Sequence, residues 1–160
     1  MTDTITANDS YLSFKLENET FAVEVSKVLE ILEIPPITKI PHSPSYMTGV
    51  INLRGNVLPV IDTRIKFNMT QTQLTINSCI VVFEIEVNNE SITMGALVDS
   101  VQEVLEIDSS LIQPSPSLGN KYRADFIKGM TRMNDEFIMV LNIDNVFSTD
   151  EIHAVKEIIE

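Results

Sequence analysis

The sequence predicts a mainly β protein with one helix at its C-terminal end, and two patterns carry this prediction. Apolar and polar residues alternate with a period of two in several segments within residues 11–143. Short groups of Asn, Asp, Gly and Pro separate these segments and mark turns. Helical spacing of apolar residues is clear only in residues 148–160. A chain of 160 residues suits one domain, or two small lobes that share one core.

The N-terminal region is predicted to contain a tail, a hairpin and a helical turn. Residues 1–10 are polar and predict a disordered tail. Residues 12–25 alternate in polarity on both sides of an Asn-Glu dipeptide, which is typical of a β-hairpin. In SKVLEILEI, residues 26–34, the apolar spacing favours a helical turn. Four prolines in residues 35–44 exclude a long helix or a central strand there.

The segment INLRGNVLPVIDTRIKF, residues 51–67, places an arginine between two predicted strand cores. One interpretation is a surface hairpin turn that carries a solvated arginine. The other is a recognition element, in which a rigid turn presents a guanidinium group to a carboxylate. Composition does not decide between the two.

Further strand signals follow in the second half of the chain. Residues 78–87 form a β-branched run typical of a strand covered on both faces, and residues 90–98 alternate beyond an Asn-rich turn. The periodicity of SVQEVLEI, residues 100–107, is compatible with a helix or a strand. Residues 126–133 and 137–143 flank an Asn-Asp dipeptide, which indicates another hairpin.

The helix at the C-terminal end has a recognisable start. Ser148 and Glu151 fit a capping box, in which each side chain binds the exposed backbone N–H of the other residue. Ile152, Val155 and Ile159 then contribute to an apolar stripe. No internal sequence repeat is evident.

Charge and composition exclude several classes of partner. With 11 basic and 23 acidic residues the net charge is −12, which argues against binding to nucleic acid or to an anionic membrane surface. An acidic surface suits a basic or mixed-charge protein partner. The single cysteine, the lack of a signal-peptide pattern and the absence of an apolar run of ~18 residues predict a cytoplasmic protein.

No catalytic, metal-binding or cofactor-binding motif is found, so an enzyme is not predicted. His42 and His153 are far apart in sequence, and Cys79 lies in a strand where an inert buried thiol is expected. Asp62 and Asp99 follow strands, where capping or pairing with a cation is the expected role. Two classes of function remain: a protein-interaction module, and a small-molecule-binding β-barrel with an apolar cavity.

Several segments together resemble one family. GVINLRGNVLPVIDTRIKF is similar to the hallmark segment of the CheW family of bacterial chemotaxis coupling proteins, a G-V-x-N-L-R-G run followed by P-V-I-D and a basic–aromatic end. The similarity covers residues 11–147 and includes five further segments: FAVEVSKVLEILEI, GALVDSVQEVLEI, IQPSP, YRADFIKGM and MVLNIDNVF.

The resemblance implies two intertwined five-stranded SH3-like β-barrels over residues 11–147, followed by a helix over residues 148–160. It makes SVQEVLEI a strand. It also implies a non-enzymatic adaptor that couples the cytoplasmic tips of transmembrane chemoreceptors to the histidine kinase CheA in arrays at the inner membrane. The kinase's regulatory domain, which has the same fold, would be the second partner. An adaptor of a pilus-type pathway remains an alternative, as does the ligand-binding barrel.

The resemblance assigns receptor-facing positions to Val28, Glu30, Ile31, Gly49 and Arg54. Arg54 would pair with Glu30, or with a receptor carboxylate that replaces Glu30. The same pair would also pin two segments together, and both roles stay open. Gly49 would allow a close backbone approach, although an ordinary helix C-cap is an alternative.

The resemblance assigns kinase-facing positions to Ile37, Val98, Val101, Val104 and Leu118. Core packing is a rival role for each of the three valines. Leu118 lies in a proline-containing loop at a position where an aromatic residue also occurs in the family, so a weaker contact is expected there.

Overall fold

The computed structural model describes residues 8–87, 89–113 and 126–159. Ten strands and two helices make up most of this part of the chain, with single 3-10 turns at Val25–Lys27, Ser109–Leu111 and Ile143–Asn145. The strands are β1 (Asn8–Leu16), β2 (Glu19–Glu24), β3 (Val28–Glu33), β4 (Met47–Leu53), β5 (Asn56–Asp62), β6 (Cys79–Val87), β7 (Glu90–Val98), β8 (Ser100–Asp108), β9 (Ile127–Met133) and β10 (Glu136–Leu141). The helices are α1 (Thr63–Lys66) and α2 (Thr149–Ile159).

The strands form two five-stranded sheets, each the basis of one lobe. The central lobe has the order β3-β6-β7-β5-β4, and the terminal lobe has the order β8-β1-β2-β10-β9. The terminal lobe therefore takes its first two strands from before the central lobe and the other three from after it. This arrangement intertwines the lobes, and the predicted fold class, two five-stranded β-barrels with a helix at the C-terminal end, is confirmed.

The two lobes repeat one another strand by strand. Each has a single parallel pairing at the same place, β5 with β7 and β10 with β2. When the pairing is followed across both sheets, β3 corresponds to β8. The two strand segments are VLEILEI, residues 28–34, and VQEVLEI, residues 101–107, and they match at five of seven positions. This repeat is not evident from the sequence, because so short a match becomes visible only when the strand register aligns the two segments.

The predicted hairpins and the capping box are confirmed. β1–β2, β4–β5, β6–β7 and β9–β10 are antiparallel pairs joined by short turns. Ser148 N donates to Glu151 Oε1 at 2.8 Å, and Glu151 N donates to Ser148 Oγ at 3.1 Å. SVQEVLEI is a strand, as the resemblance implied.

Two local predictions are corrected. The helical turn expected in residues 26–34 is limited to the 3-10 turn Val25–Lys27, and the rest is strand β3. Pairing with the neighbouring strand β6 decides this, since propensity yields to tertiary hydrogen bonding in so short a segment. Residues 8–10 of the predicted tail belong instead to β1, which begins at Asn8 and pairs with β8 there. Residues 1–7 lie outside the described part.

Three apolar clusters form the interior. The largest lies between the lobes, and each lobe has a smaller cluster of its own. Along the central strands, successive side chains point alternately to the cluster between the lobes and to the cluster of their own lobe, as the two-residue period requires. The cluster between the lobes, called the interlobe core here, includes Phe14, Phe21, Phe67, Phe83, Phe126 and Ile152. The central-lobe cluster includes Val60, Ile80 and Leu97, and the terminal-lobe cluster includes Tyr11, Ala22 and Val140.

The carboxylates that follow strands have structural roles, as expected. Asp62 caps α1 by accepting from Arg64 N at 3.1 Å, and it also accepts from Thr72 N at 3.0 Å. Asp99 accepts two hydrogen bonds from the Arg64 guanidinium, at 2.9 and 2.5 Å. These bonds fix α1 to the end of β5 and to the connection between β7 and β8.

Candidate functional site

The arginine of the hallmark segment spans a gap at the edge of the central lobe. Arg54 and Gly55 form the β4–β5 turn with φ of 51° and 87°, the left-handed values of a type I′ hairpin turn. From this turn the Arg54 guanidinium reaches Glu30 on the edge strand β3, and Nη1 lies 3.4 Å from Glu30 Oε1. The hydrogen bond to Glu30 raises the pKa of Arg54.

The Arg54–Glu30 pair lies at the surface. The Arg54 side chain is 69% exposed and the Glu30 side chain 29% exposed. The pair therefore pins the turn to β3 while leaving much of the guanidinium accessible. Both roles that the sequence left open, pinning and presentation, are compatible with this geometry.

Exposed apolar side chains occur on the two elements that supply this pair. Leu29 and Ile31 are exposed on one face of β3, alternating with Glu30, and Val57 is exposed in β5 just after the turn. Val28 is half-buried and packs against the interlobe core. We call the set Leu29, Glu30, Ile31, Arg54 and Val57 the central edge.

Gly49 lies behind the central edge rather than in it. It is buried in β4, and a Cβ at this position would stand 2.3 Å from the backbone oxygen of Thr38. Thr38 forms an isolated antiparallel bridge with Val50 that closes the barrel. Gly49 thus provides the predicted close backbone approach, and it lies inside a strand rather than at a helix C-cap.

The predicted kinase-facing residues separate into different environments. Val104 is 58% exposed on β8, and Val101 is half-buried against the interlobe core. Val98 has no exposed surface and belongs to the core. It is therefore not available for contact with a partner. Ile37 is half-buried and packs against the central-lobe cluster. Leu118 lies outside the described residues.

Three exposed apolar residues on the strands were not predicted from the sequence. Leu29 and Val57 belong to the central edge, and Phe137 is exposed at the start of β10 in the position equivalent to Val57. The available signal was the two-residue period of the strands, which places Leu29 on the outer face together with Ile31. Assigning residues 26–34 to a helical turn concealed that signal.

The interior gives little room to a bound small molecule. An apolar cavity of about 30 Å³ lies in the interlobe core, lined by Phe14, Val23, Ile61, Phe67 and neighbouring apolar residues. Ligand pockets are typically about 300–1,000 Å³. The ligand-binding-barrel alternative is therefore not favoured.

The described residues contain neither a candidate metal site nor a candidate membrane-spanning helix. No group of three or more His, Cys, Asp or Glu side chains in residues 8–87, 89–113 and 126–159 is arranged to hold a metal ion. No helix in this part of the chain is long and apolar enough to cross a membrane.

Fold and surface together define a mainly β domain, built from two equivalent barrels with exposed apolar residues on their strands. A model of the CheW-like domain matches residues 10–151. The chain is 32% identical to the chemotaxis protein CheW of Rhizobium meliloti over 143 residues, 89% of this chain and 90% of that protein. It is 28% identical to the chemotaxis protein CheW of Klebsiella aerogenes over 153 residues, 96% of this chain and 90% of that protein.

A solved structure agrees with these relatives. The crystal structure of the scaffolding protein TtCheW from Thermoanaerobacter tengcongensis matches with a TM-score of 0.81 and 28% identity, covering 94% of this chain and 95% of that chain. The chain belongs to the CheW family.

Proposed function

We propose that this chain is a non-enzymatic adaptor of the cytoplasm that couples chemoreceptors to a CheA-type histidine kinase in signalling arrays. Membership of the CheW family over nearly the whole chain is the observation that carries the proposal. The relatives are named as chemotaxis proteins, and the similar solved structure is described as a scaffolding protein.

The central edge is the proposed receptor contact. It combines a guanidinium group that is mostly exposed with the apolar side chains of Leu29, Ile31 and Val57. An exposed arginine together with exposed apolar residues has the composition of an interface hot spot. Glu30 holds the arginine in place, and a receptor carboxylate either joins the pair or replaces Glu30 in it.

The outer face of β8, centred on Val104, is the proposed kinase contact, with Val101 beneath it. Ile37 and Leu118 stay as predicted contributors to kinase binding. The adaptor then works by assembly. Receptor state reaches the kinase only through contacts that differ between the signalling states, since equal affinity for both states shifts nothing.

The test is the Arg54→Ala variant, with Arg132→Ala as the matched control. Both arginines lie at or beside an equivalent hairpin turn, and their side chains are 69% and 65% exposed. We expect Arg54→Ala to weaken binding to receptor-containing membranes about tenfold or more, while binding to the kinase is retained. Arg132→Ala should leave receptor binding unchanged.

The measurement is co-sedimentation with receptor membranes and a pull-down with the kinase, after circular dichroism has shown that each variant is folded. A wild-type chain that binds neither partner would refute the adaptor function. Equal receptor binding by wild type and Arg54→Ala would refute the role of Arg54 alone.

A further inference from the structure

The internal repeat places two glutamates at equivalent positions in different surroundings. Glu30 on β3 corresponds to Glu103 on β8, in the shared pattern V-x-E-x-L-E-I. In the central lobe, Arg54 at the first turn position pairs with Glu30. In the terminal lobe, the equivalent turn position is Asn134, which carries no charge.

The Glu103 carboxylate has no counter-charge among the described residues. The hydrogen bonds of Glu103 involve its backbone. Its carbonyl oxygen accepts from Ser13 Oγ at 2.8 Å, and its N–H donates to Ser13 Oγ at 3.2 Å. The arginine of β9, Arg132, pairs instead with Asp135 at 3.5 Å and lies over the Phe137 ring at 5.9 Å.

Glu103 faces a surface groove between β8 and the β9–β10 turn. Asn134 lies across the groove from it, and Leu105, Met133 and Ile138 contribute apolar lining. Glu136 also lines the groove, but it is already bound by Thr20 and Lys15. We call this depression the terminal groove.

Exposed apolar residues lie next in sequence to residues that line the terminal groove. Val104 follows Glu103 and is 58% exposed, and Phe137 follows Glu136 and is 59% exposed; they correspond to Ile31 and Val57 of the central edge. The terminal lobe therefore keeps the carboxylate and two apolar residues of the central edge, but it has Asn134 in place of Arg54 and Gln102 in place of Leu29.

We propose that the terminal groove binds an arginine side chain of the CheA-type kinase, with Glu103 as the acceptor. The central lobe supplies the template, since there a guanidinium group in the equivalent place reaches the equivalent carboxylate. Charge complementarity favours this occupant, because a planar guanidinium group binds a carboxylate with two parallel hydrogen bonds. The inference rests on the proposed function, and it names the chemistry of the kinase contact.

The first test compares Glu103→Gln with Glu157→Gln. Both glutamates are exposed and each change removes one negative charge, but Glu157 lies on α2 and does not line the terminal groove. We expect Glu103→Gln to weaken binding of the kinase's regulatory domain about tenfold, because it removes one partner of a charged pair at the interface. Glu157→Gln should stay within about twofold of wild type, since it changes only the long-range field.

The second test fills the terminal groove from within the chain. Asn134 has a φ of 52° and Arg54 a φ of 51°, so Asn134→Arg places an arginine on a backbone that already holds one in the other lobe. The new side chain would pair with Glu103 and compete with the partner. We expect weaker kinase binding and unchanged receptor binding, while the neutral control Asn134→Gln binds the kinase as wild type does.

The measurement is isothermal titration calorimetry with the purified regulatory domain of the CheA-type kinase, on variants shown to be folded by circular dichroism. Loss of affinity in Glu103→Gln and Asn134→Arg, with both controls unaffected, supports the inference. Wild-type affinity in Glu103→Gln, or an equal loss in Glu157→Gln, overturns it. A wild-type chain without kinase affinity would overturn the proposed function and the inference together, so the two failures are distinguishable.

Discussion

Gly49 allows the backbone of β4 to lie in direct contact with the backbone of Thr38 in the central lobe. A Cβ there would lie 2.3 Å from the Thr38 carbonyl oxygen, and the equivalent Gly129 has the same relation to Gln113 at 2.5 Å. Backbone atoms cannot move aside as the end of a long side chain does. Both glycines are therefore required for closure of their barrels.

We expect Gly49→Ala to lower the free energy of unfolding by about 1–3 kcal/mol, because the added methyl group separates β4 from Thr38. Gly55→Asn is the matched control. A Cβ at Gly55 meets no atom within 4 Å, and asparagine tolerates left-handed backbone. Urea unfolding followed by circular dichroism measures both, and equal stability of Gly49→Ala and wild type would contradict the role of this close approach.

At the scale of elements, α2 is fastened to the interlobe core by a charged contact as well as by apolar packing. Ile152 and Val155 are buried, and Lys66 Nζ donates to Glu151 Oε2 at 2.7 Å. The Lys66 ammonium group also lies over the rings of Tyr46 and Phe147, at 5.4 and 5.2 Å. A lysine in this position is stabilised by cation–π contacts and by one carboxylate.

We expect Glu151→Gln to destabilise the protein by about 2–3 kcal/mol, because the change leaves the buried Lys66 without its counter-charge. Glu157→Gln, an exposed position on the same helix, should have little effect. Thermal unfolding of the two variants at pH 7 measures the difference. Equal melting temperatures would show that the Lys66–Glu151 pair does not hold α2.

The same pair predicts a dependence of stability on pH. Burial raises the pKa of Glu151, but hydrogen bonds from Lys66 and Ser148 outweigh it and hold that pKa below the ordinary value of 4.5. When the pKa of a carboxyl group is lower in the folded state, ionisation of the group stabilises the fold. This contribution is complete above the pKa of the unfolded state, and it is lost as pH falls through the pKa of the folded state. We expect wild type to lose stability below about pH 4.5, and Glu151→Gln to lose less over the same range. Parallel curves from denaturation at pH 3 to 7 would refute this.

At the scale of the whole molecule, one shared core joins the two lobes. Phe67 on the segment after α1 stacks on Phe126 at 4.5 Å between ring centroids and lies 5.4 Å from Phe21. The interlobe core is also larger than the cluster of either lobe. Each lobe therefore shares the larger part of its apolar interior with the other.

We expect the lobes to unfold in a single transition, and Phe67→Ala to lower the free energy of unfolding by about 3–5 kcal/mol. Amide hydrogen exchange in β6 and in β1 reports on the central and terminal lobes separately. Both should lose protection to the same extent in Phe67→Ala, and neither in the surface variant Phe137→Ala. Protection lost in one lobe alone would indicate two independent folding units.

The sequence by itself determined the elements whose signals are local. A type I′ turn needs two left-handed residues, a capping box needs two side chains three residues apart, and a strand shows its period within a few residues. The hairpins and the start of α2 were predicted on this basis. The resemblance of several segments to one family added the fold class and the identity of β8.

Only the tertiary structure decided what depends on pairing between distant segments. It made residues 28–33 a strand, because β6 offers its edge to them. It buried Val98 and exposed Val104, and it aligned Glu103 with Glu30 across an internal repeat. The burial of a side chain and the equivalence of positions in the two lobes both depend on strand register. Hydrogen bonds between residues remote in sequence establish this register, and no local pattern encodes it.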